Sequence, residues 1–592
     1  MLREDKLRKL RDKMALAGLN AVIIPSTDPH SSEYVHEHWK SRAWFSGFNG
    51  SAGTLVVTEN MSGLWTDFRY YIEASNVLKE CEIELYRDGL EETPSILDFL
   101  KSNLKKGDTL GFDGTLFSTS DFEKYNLELK KFDISIDNSF DPVEGLWEDR
   151  PEAPMSKAFD LPVRFSGESR EDKILRVRNK MKGVGANTYI VSSLADIAWL
   201  LNIRGEDVRF TPLIVSYLIV DLNNVNLFIK NEKLPKKLKV ELEKAGITIN
   251  NYDVIGDYII KLKKDSVIYY MPESLNCFLS TLINQDIKVI RGVDLVTDLK
   301  AIKNKTEIDN IRSAMEKDGA ALVKFFKEFE HRIKDEEFTE YTLAPLLREK
   351  RLGMEGCVDE SFSPIIGYHS NGALCHYSAD EKSAKLIKRD GLLLIDSGGQ
   401  YYEGTTDITR TISLGNATVE EILHYTLVLK GHIKLSMAKF PEGTTGAQLD
   451  ILAREPLWEH GLNFGHGTGH GVGYFLGVHE GPQNISPKGF KAPIKEGMIT
   501  SNEPGLYIEG KHGIRIENLV LTKFDSDGLY QKFLGFETLT LYPYDLELID
   551  SELLSIKEIE WINNYHKEVK TRLSKYLTAD ENTWLEDKTR EI

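Results

Sequence analysis

The feature that most constrains this chain is an internal repeat. Residues 4–26 read EDKLRKLRDKMALAGLNAVIIPS and residues 171–193 read EDKILRVRNKMKGVGANTYIVSS, a constant offset of 167. Each copy gives a helix, a Gly-x-Asn turn and a β-branched strand. A second pair, WFSGFNG from Trp44 and WLLNIRG from Trp199, continues the likeness at a shorter offset. Solenoid repeats run roughly 20–50 residues, so a period this long implies duplicated domains instead. Two related α/β domains are expected, at residues 1–160 and 161–322, joined by the proline-bearing stretch DRPEAPMSKAFDLP.

The remainder, residues 323–592, has a different pattern. A helix opens near Thr306 and Glu307, with Ile308, Ile311, Met315 and Ala320 close to one face. Strand-like runs follow (SPIIG, GLLLIDSGG, TTDITRTISLG, GIRIENLVL), with helices between them at about 418–439 and 447–459. Mixed helices and antiparallel-looking strands predict an α+β domain. From Ser551 onward the chain reads as a helix and a polar tail.

Composition excludes several partners. A net charge of −18 over 592 residues argues against a phosphate backbone, so no nucleic-acid partner is expected. Four cysteines, Cys81, Cys277, Cys357 and Cys375, form no CxxC pair and are expected to be reduced and mostly buried. The N-terminus is an amphipathic helix, with Leu7, Leu10, Met14 and Ala17 on one face, rather than a signal peptide. No apolar run is long enough to span a bilayer, so no membrane partner is expected and cytoplasm is the expected compartment.

The chemistry lies in the third region. In GLLLIDSGGQYYEGTTDITRTIS, an apolar strand ends at Asp396 and a second, Thr/Ile-rich strand carries Asp407. Paired through the intervening turn, the strands bring two carboxylates together. Acidic groups beside such apolar runs are costly without a compensating cation. Next, NFGHGTGHGVGYFLGVHEGP holds His466, His470 and His479 among seven glycines. The glycines argue against a helix, so the segment reads as tight backbone presenting imidazoles into a cavity. TSNEPGLY then supplies Glu503 and GIRIENLVL supplies Glu517. Strand alternation puts Arg515 and Glu517 on one face and Ile514 and Ile516 on the core face. Two Asp, one His and two Glu suit two hard or borderline divalent ions.

These motifs, DSGGQYYEGTTDITRT, HGTGHGVGYFLGVHEGP, NEPG and GIRIEN, resemble the pita-bread metallopeptidase family, which includes methionine aminopeptidase, prolidase and aminopeptidase P. The whole chain resembles the long, three-domain aminopeptidase P branch, through STDPHSSEY, FSGFNGSAGT and WTDFRYY early, WLLNIRGEDV in the middle and GFETLTLYP late. The resemblance implies two creatinase-like α/β domains before a pita-bread α+β catalytic domain, and a homodimer. It implies release of the residue before a second-position proline, by a hydroxide between two divalent ions. Manganese is the expected metal, with zinc or cobalt compatible. By the same resemblance Asp407 and Glu517 bridge the ions, Asp396 holds one, and His470 and Glu503 hold the other. His376 (in LCHY), His466 and His479 match the family's non-ligand histidines. His376 is expected to contact the carbonyl or oxyanion, His479 to shuttle a proton, and His466 to face the proline. Arg515 is expected to fix carboxylates or a substrate carbonyl. His36, His38, His424 and His512 belong to none of these motifs and read as surface or core residues. Prolidase is the alternative enzyme, and a metal-free peptide-binding or scaffold protein is the alternative outside enzymes.

Overall fold

The computed structural model describes residues 2–592 except Glu80 and Lys491. The chain packs into two compact units, Met1–Leu161 with Glu168–Val296, and Pro162–Gly167 with Thr297–Ile592.

The repeat is visible in the first unit as duplicated topology. Helix Arg3–Leu16 leads into strand Ala21–Ile24, and helix Arg170–Gly183 leads into strand Thr188–Val191. Each strand lies fourth in its own six-stranded sheet. Ala21–Ile24 pairs antiparallel with Thr54–Thr58 on one side and parallel with Thr109–Gly111 on the other. Thr188–Val191 does the same with Tyr217–Asp221 and Val267–Tyr270. The outer pairings repeat as well, one antiparallel and two parallel in each sheet. Both repeat strands are buried along their whole length, as sheets covered by helices on both faces require. Leu7, Leu10 and Met14 of the first helix are buried against that sheet, while Ala17 falls beyond the helix end and is exposed.

The second unit is α+β. Helix Lys305–Arg332 starts one residue before the expected Thr306, because Asn304 caps it and forms a capping box with Glu307. Its apolar face, including Phe325, Phe326 and Phe329, enters a large core with helices Glu340–Leu352, Val419–Ser436 and Ile556–Leu573. Two antiparallel sheets carry the site. One has three strands, Ile365–Tyr368, Leu392–Ser397 and Ile408–Ser413. The other has six, with Gly469–Gly471 between Ile499–Asn502 and Glu480–Ile485.

Three expectations need correction. The C-terminal tail is a second helix, Ala579–Lys588, held by a Thr578–Glu581 capping box and a fully buried Leu585. Of the four cysteines, all free, only Cys277 is buried and the others are half-buried. The boundary drawn at residue 322 falls inside helix Lys305–Arg332.

Candidate active site

Asp396 sits near the end of Leu392–Ser397, opposite Thr409 of the antiparallel neighbour Ile408–Ser413. Asp407 lies one residue before that neighbour rather than within it. The expected turn between them is a small ribbon, with Gly399–Tyr401 paired to Gly404–Thr405. Gly398 makes the close crossing possible, since a Cβ there would lie 2.0 Å from the Thr406 carbonyl oxygen.

His470 occupies the middle of strand Gly469–Gly471. A Cβ on Gly469 would stand 1.9 Å from the Ser501 carbonyl oxygen, so the glycines let this strand wedge tightly between its neighbours. Glu503 follows Ile499–Asn502, and its amide donates to Thr468 O at 2.7 Å. Glu517 sits in the break between His512–Arg515 and Asn518–Asp527. Its amide donates to Thr409 O at 3.0 Å and its Oε2 accepts from the Thr409 hydroxyl at 2.8 Å. Thr409 thus faces Asp396 across the sheet and holds Glu517.

The five groups converge. Among the described residues, Asp407, His470 and Glu517 place ligand atoms within 4.8 Å of one another. His470 Nε2 lies 3.3 Å from Glu503 Oε1 and 3.6 Å from Asp407 Oδ2. Arg515 donates to Asp396 Oδ2 at 2.6 Å, to Tyr507 Oη at 2.6 Å and to Thr409 Oγ1 at 3.2 Å. Ile514 and Ile516 are fully buried in the core, but the strand ends at Arg515, and Arg515 and Glu517 are buried as well, so the expected alternation along one strand does not extend to Glu517. The His466 ring meets the Tyr507 hydroxyl at 2.9 Å. His479 stands edge-on to His470, with ring centroids 4.3 Å apart. His376 lies in a half-buried turn just after the short helix His369–Ala373.

Sequence reasoning missed Tyr507, which links His466 to Arg515. Its strand Gly505–Ile508 pairs with His512–Arg515, with Gly505 opposite Arg515, so Tyr507 shares Arg515's side of the ribbon. That pairing has no signal in the sequence beyond closeness to NEPG. The histidines read as bland make local contacts: His424 and His512 hydrogen-bond each other at 2.9 Å, and His38 meets Pro151 O at 2.7 Å.

The site holds more negative charge than it can balance. Burial raises the pKa of Asp407, and the charges of Glu517 and Asp396 raise it further. Burial likewise raises Glu517, with Glu503 and Asp396 adding to it. Burial also raises Asp396, against the pull of Arg515. Burial opposes ionisation of Glu503 too, yet the hydrogen bond and charge of His470 hold it at about 2. The same pairing overcomes burial at His470 and lifts it to about 9. Burial lowers His466 to about 4, so this ring is neutral at pH 7. Asp396 Oδ1 and Glu517 Oε1 are buried with no hydrogen-bond partner among the described residues. Unpartnered carboxylate oxygens aimed into a cluster of repelling charges fit divalent cations, the hard acceptors such oxygens prefer.

Comparison with known proteins agrees along the whole chain. Residues 309–523 match metallopeptidase family M24, and residues 532–592 match the C-terminal region of peptidase M24. Residues 6–146 and 149–307 each match the creatinase/prolidase N-terminal domain. Xaa-Pro aminopeptidase 1 of Dictyostelium discoideum is 38% identical, over 99% of this chain and 96% of that protein. The chain belongs to metallopeptidase family M24. Among solved structures, the X-prolyl aminopeptidase of Caenorhabditis elegans, described as a cytosolic enzyme with a di-nuclear active site, superposes with a TM-score of 0.96. It is 35% identical and covers 100% of both chains. The prolidase of Pyrococcus horikoshii shares the fold over only 63% of this chain, with a TM-score of 0.51 and 24% identity. The M24 domain and its two creatinase-type N-terminal domains thus account for the two repeated sheets and the α+β unit.

Proposed function

We propose that this chain is an Xaa-Pro aminopeptidase, removing the N-terminal residue from peptides whose second residue is proline. The observation that carries this reading is the buried, unbalanced carboxylate cluster around His470, in a chain that aligns end to end with relatives of that name. Asp396, Asp407, His470, Glu503 and Glu517 would hold two divalent ions, with manganese our choice and zinc or cobalt compatible with the same donors. Ions bound there supply Lewis acidity and ease deprotonation of water, whose pKa falls from 15.7 to about 7 beside a metal.

The chain's own residues do the rest. Arg515 and Thr409 hold Asp396 and Glu517 in fixed orientations. Neutral His466, tied to Tyr507, presents an uncharged ring suited to an apolar proline. His479, edge-on to His470, is assigned proton transfer to the leaving nitrogen, and His376 contact with the scissile carbonyl.

Within this reading the domains are those expected, with the last joint moved from 322 to Thr297, where the second compact unit resumes. A homodimer and cytoplasmic residence also belong to it. No helix among the described residues is long and apolar enough to cross a membrane.

The test is hydrolysis of Arg-Pro-Pro by purified protein, metal-free and after adding manganese, with products identified by mass. Metal-dependent release of free arginine is expected. Cleavage of Arg-Pro but not Arg-Pro-Pro would move the assignment to prolidase. No cleavage of either would move it to a peptide-binding or scaffold role.

A further inference from the structure

Glu340 opens helix Glu340–Leu352 and is only 1% exposed. A carboxylate buried this deeply needs donors. It has four, none of them cationic. The Tyr368 amide donates to Oε1 at 2.7 Å. The Lys385 amide at 2.7 Å, the Asn371 side chain at 2.9 Å and the Tyr377 hydroxyl at 2.8 Å all converge on Oε2. The Glu340 amide in turn donates to Lys385 O at 3.1 Å. The position at the helix start also favours a negative charge.

Every donor lies between residues 368 and 385, the segment that contains His376. Asn371 and Tyr377 are further joined to each other at 3.0 Å. The segment is pinned at a second point. Gly372 packs so closely on Gly513 that a Cβ on Gly513 would lie 1.7 Å from the Gly372 carbonyl oxygen. Gly513 belongs to strand His512–Arg515, which carries Arg515. His376 therefore sits between two fixed points: Gly372 against the Arg515 strand, and Tyr377 on Glu340.

We propose that Glu340 is a positioning residue for the reaction: its carboxylate clamps the segment 368–385 and so sets where the His376 ring stands. The proposal rests on the reading of His376 as a group that contacts substrate. Glu340 acts through His376 and makes none of its hydrogen bonds to a metal ligand.

The experiment compares Glu340→Gln, Tyr377→Phe, His376→Ala and the double variants with His376→Ala. Readouts are kcat and KM on Arg-Pro-Pro with manganese, and bound manganese by elemental analysis. Glu340→Gln keeps one acceptor oxygen and turns the other into an NH2 that must face a donor, the Tyr368 amide at the least, so the clamp loses one of its two ends. We expect kcat to fall about 100-fold, the loss typical of a reacting group misplaced by about 1 Å. KM should stay within about threefold, since uniform binding is untouched. Bound manganese should match the parent. Tyr377→Phe removes one donor and keeps the segment's other contacts, with a loss of about tenfold expected. It serves as the decisive variant if Glu340→Gln does not fold. Each double variant should be no slower than His376→Ala alone, because the two changes disable one function. Multiplying losses in the double variants, or lost manganese in Glu340→Gln, would overturn the positioning role while leaving His376 in the site. Full turnover by His376→Ala would overturn the reading of His376 itself, and the clamp's role with it.

Discussion

Two buried charge clusters in this chain are built by opposite rules. In the N-terminal unit, Asp207 and Lys233 are almost fully buried and lie 2.5 Å apart. Asp207 Oδ1 also accepts from the Ser156 amide and hydroxyl at 3.1 and 2.8 Å, and Oδ2 from the Val215 amide at 2.7 Å. One negative charge meets one positive charge, and both carboxylate oxygens are used. In the catalytic unit, Asp396, Asp407, Glu503 and Glu517 face one guanidinium, that of Arg515, and one imidazole, that of His470, and two of their oxygens have no partner among the described residues. The difference shows that buried charge alone does not mark a site. Structural ion pairs are buried too, and they are balanced. Imbalance that the fold tolerates is what points to a cation site.

Substitution should separate the two clusters most sharply. Asp407→Asn removes a proposed ligand and one of the mutually repelling charges. Turnover should fall by at least about 10³-fold, the several kcal/mol that metal assistance supplies. Bound manganese should fall with it, while the urea midpoint of the metal-free protein holds or rises. Asp207→Asn should do the reverse, leaving Lys233 buried without its counter-charge. Stability should drop by about 3–5 kcal/mol and bound manganese should not change. Elemental analysis and urea unfolding read both variants. Equal destabilisation of the metal-free protein by the two substitutions would break the comparison.

Metal removal gives a smaller contrast. Ions that bind only the folded state add about 2.7 kcal/mol at a hundredfold excess over Kd. Chelation should therefore lower the unfolding midpoint of the parent, and re-addition of manganese should restore it. Asp407→Asn should show neither change. Asp207→Asn should show both, at a lower midpoint, and a flat response there would mean that the two clusters are not independent.

Much of this was legible because it is local. The duplication is a pattern along the chain, and it reappears as two sheets of identical pairing. The Asp396 strand and the glycine-bracketed His470 each follow from a few consecutive residues. What stayed hidden is non-local. Tyr507 meets His466 41 residues away, and Thr409 holds Glu517 across 108 residues. Glu340 serves a segment that begins 28 residues later and ends 45 residues later. The sequence pattern puts Asp407 on its strand rather than before it, because the ribbon at 399–405 depends on Gly398 crossing Thr406. The last helix reads as a polar tail in sequence because its polar surface conceals one buried side chain, Leu585.

The smallest expected effect concerns histidine, and it carries the same contrast into acid. His470 is buried beside carboxylates and is lifted to about 9. His432 is buried with hydrogen-bond partners that are all neutral. Its Nδ1 donates to Asn502 O at 3.0 Å, and Nε2 meets the Tyr544 hydroxyl at 3.0 Å and the Asn518 amide at 3.2 Å. Burial, and then the charge of Arg410, lower it from 6.5 to about 3. Because the folded pKa is depressed, the unfolded chain takes the proton first. Stability is full above about pH 6.5 and declines as pH falls, by up to about 1.4 kcal/mol per unit, until the folded form protonates. His432→Gln should cost stability at pH 7, where it loses hydrogen bonds, yet flatten the slope of unfolding free energy between pH 6.5 and 5. Urea titrations of parent and variant at matched pH measure that slope. Identical slopes would show that His432 is protonated in the folded state as readily as in the unfolded chain. A buried imidazole with neutral partners would then titrate as it does in the unfolded chain, and burial would lose its power to set the two histidines apart.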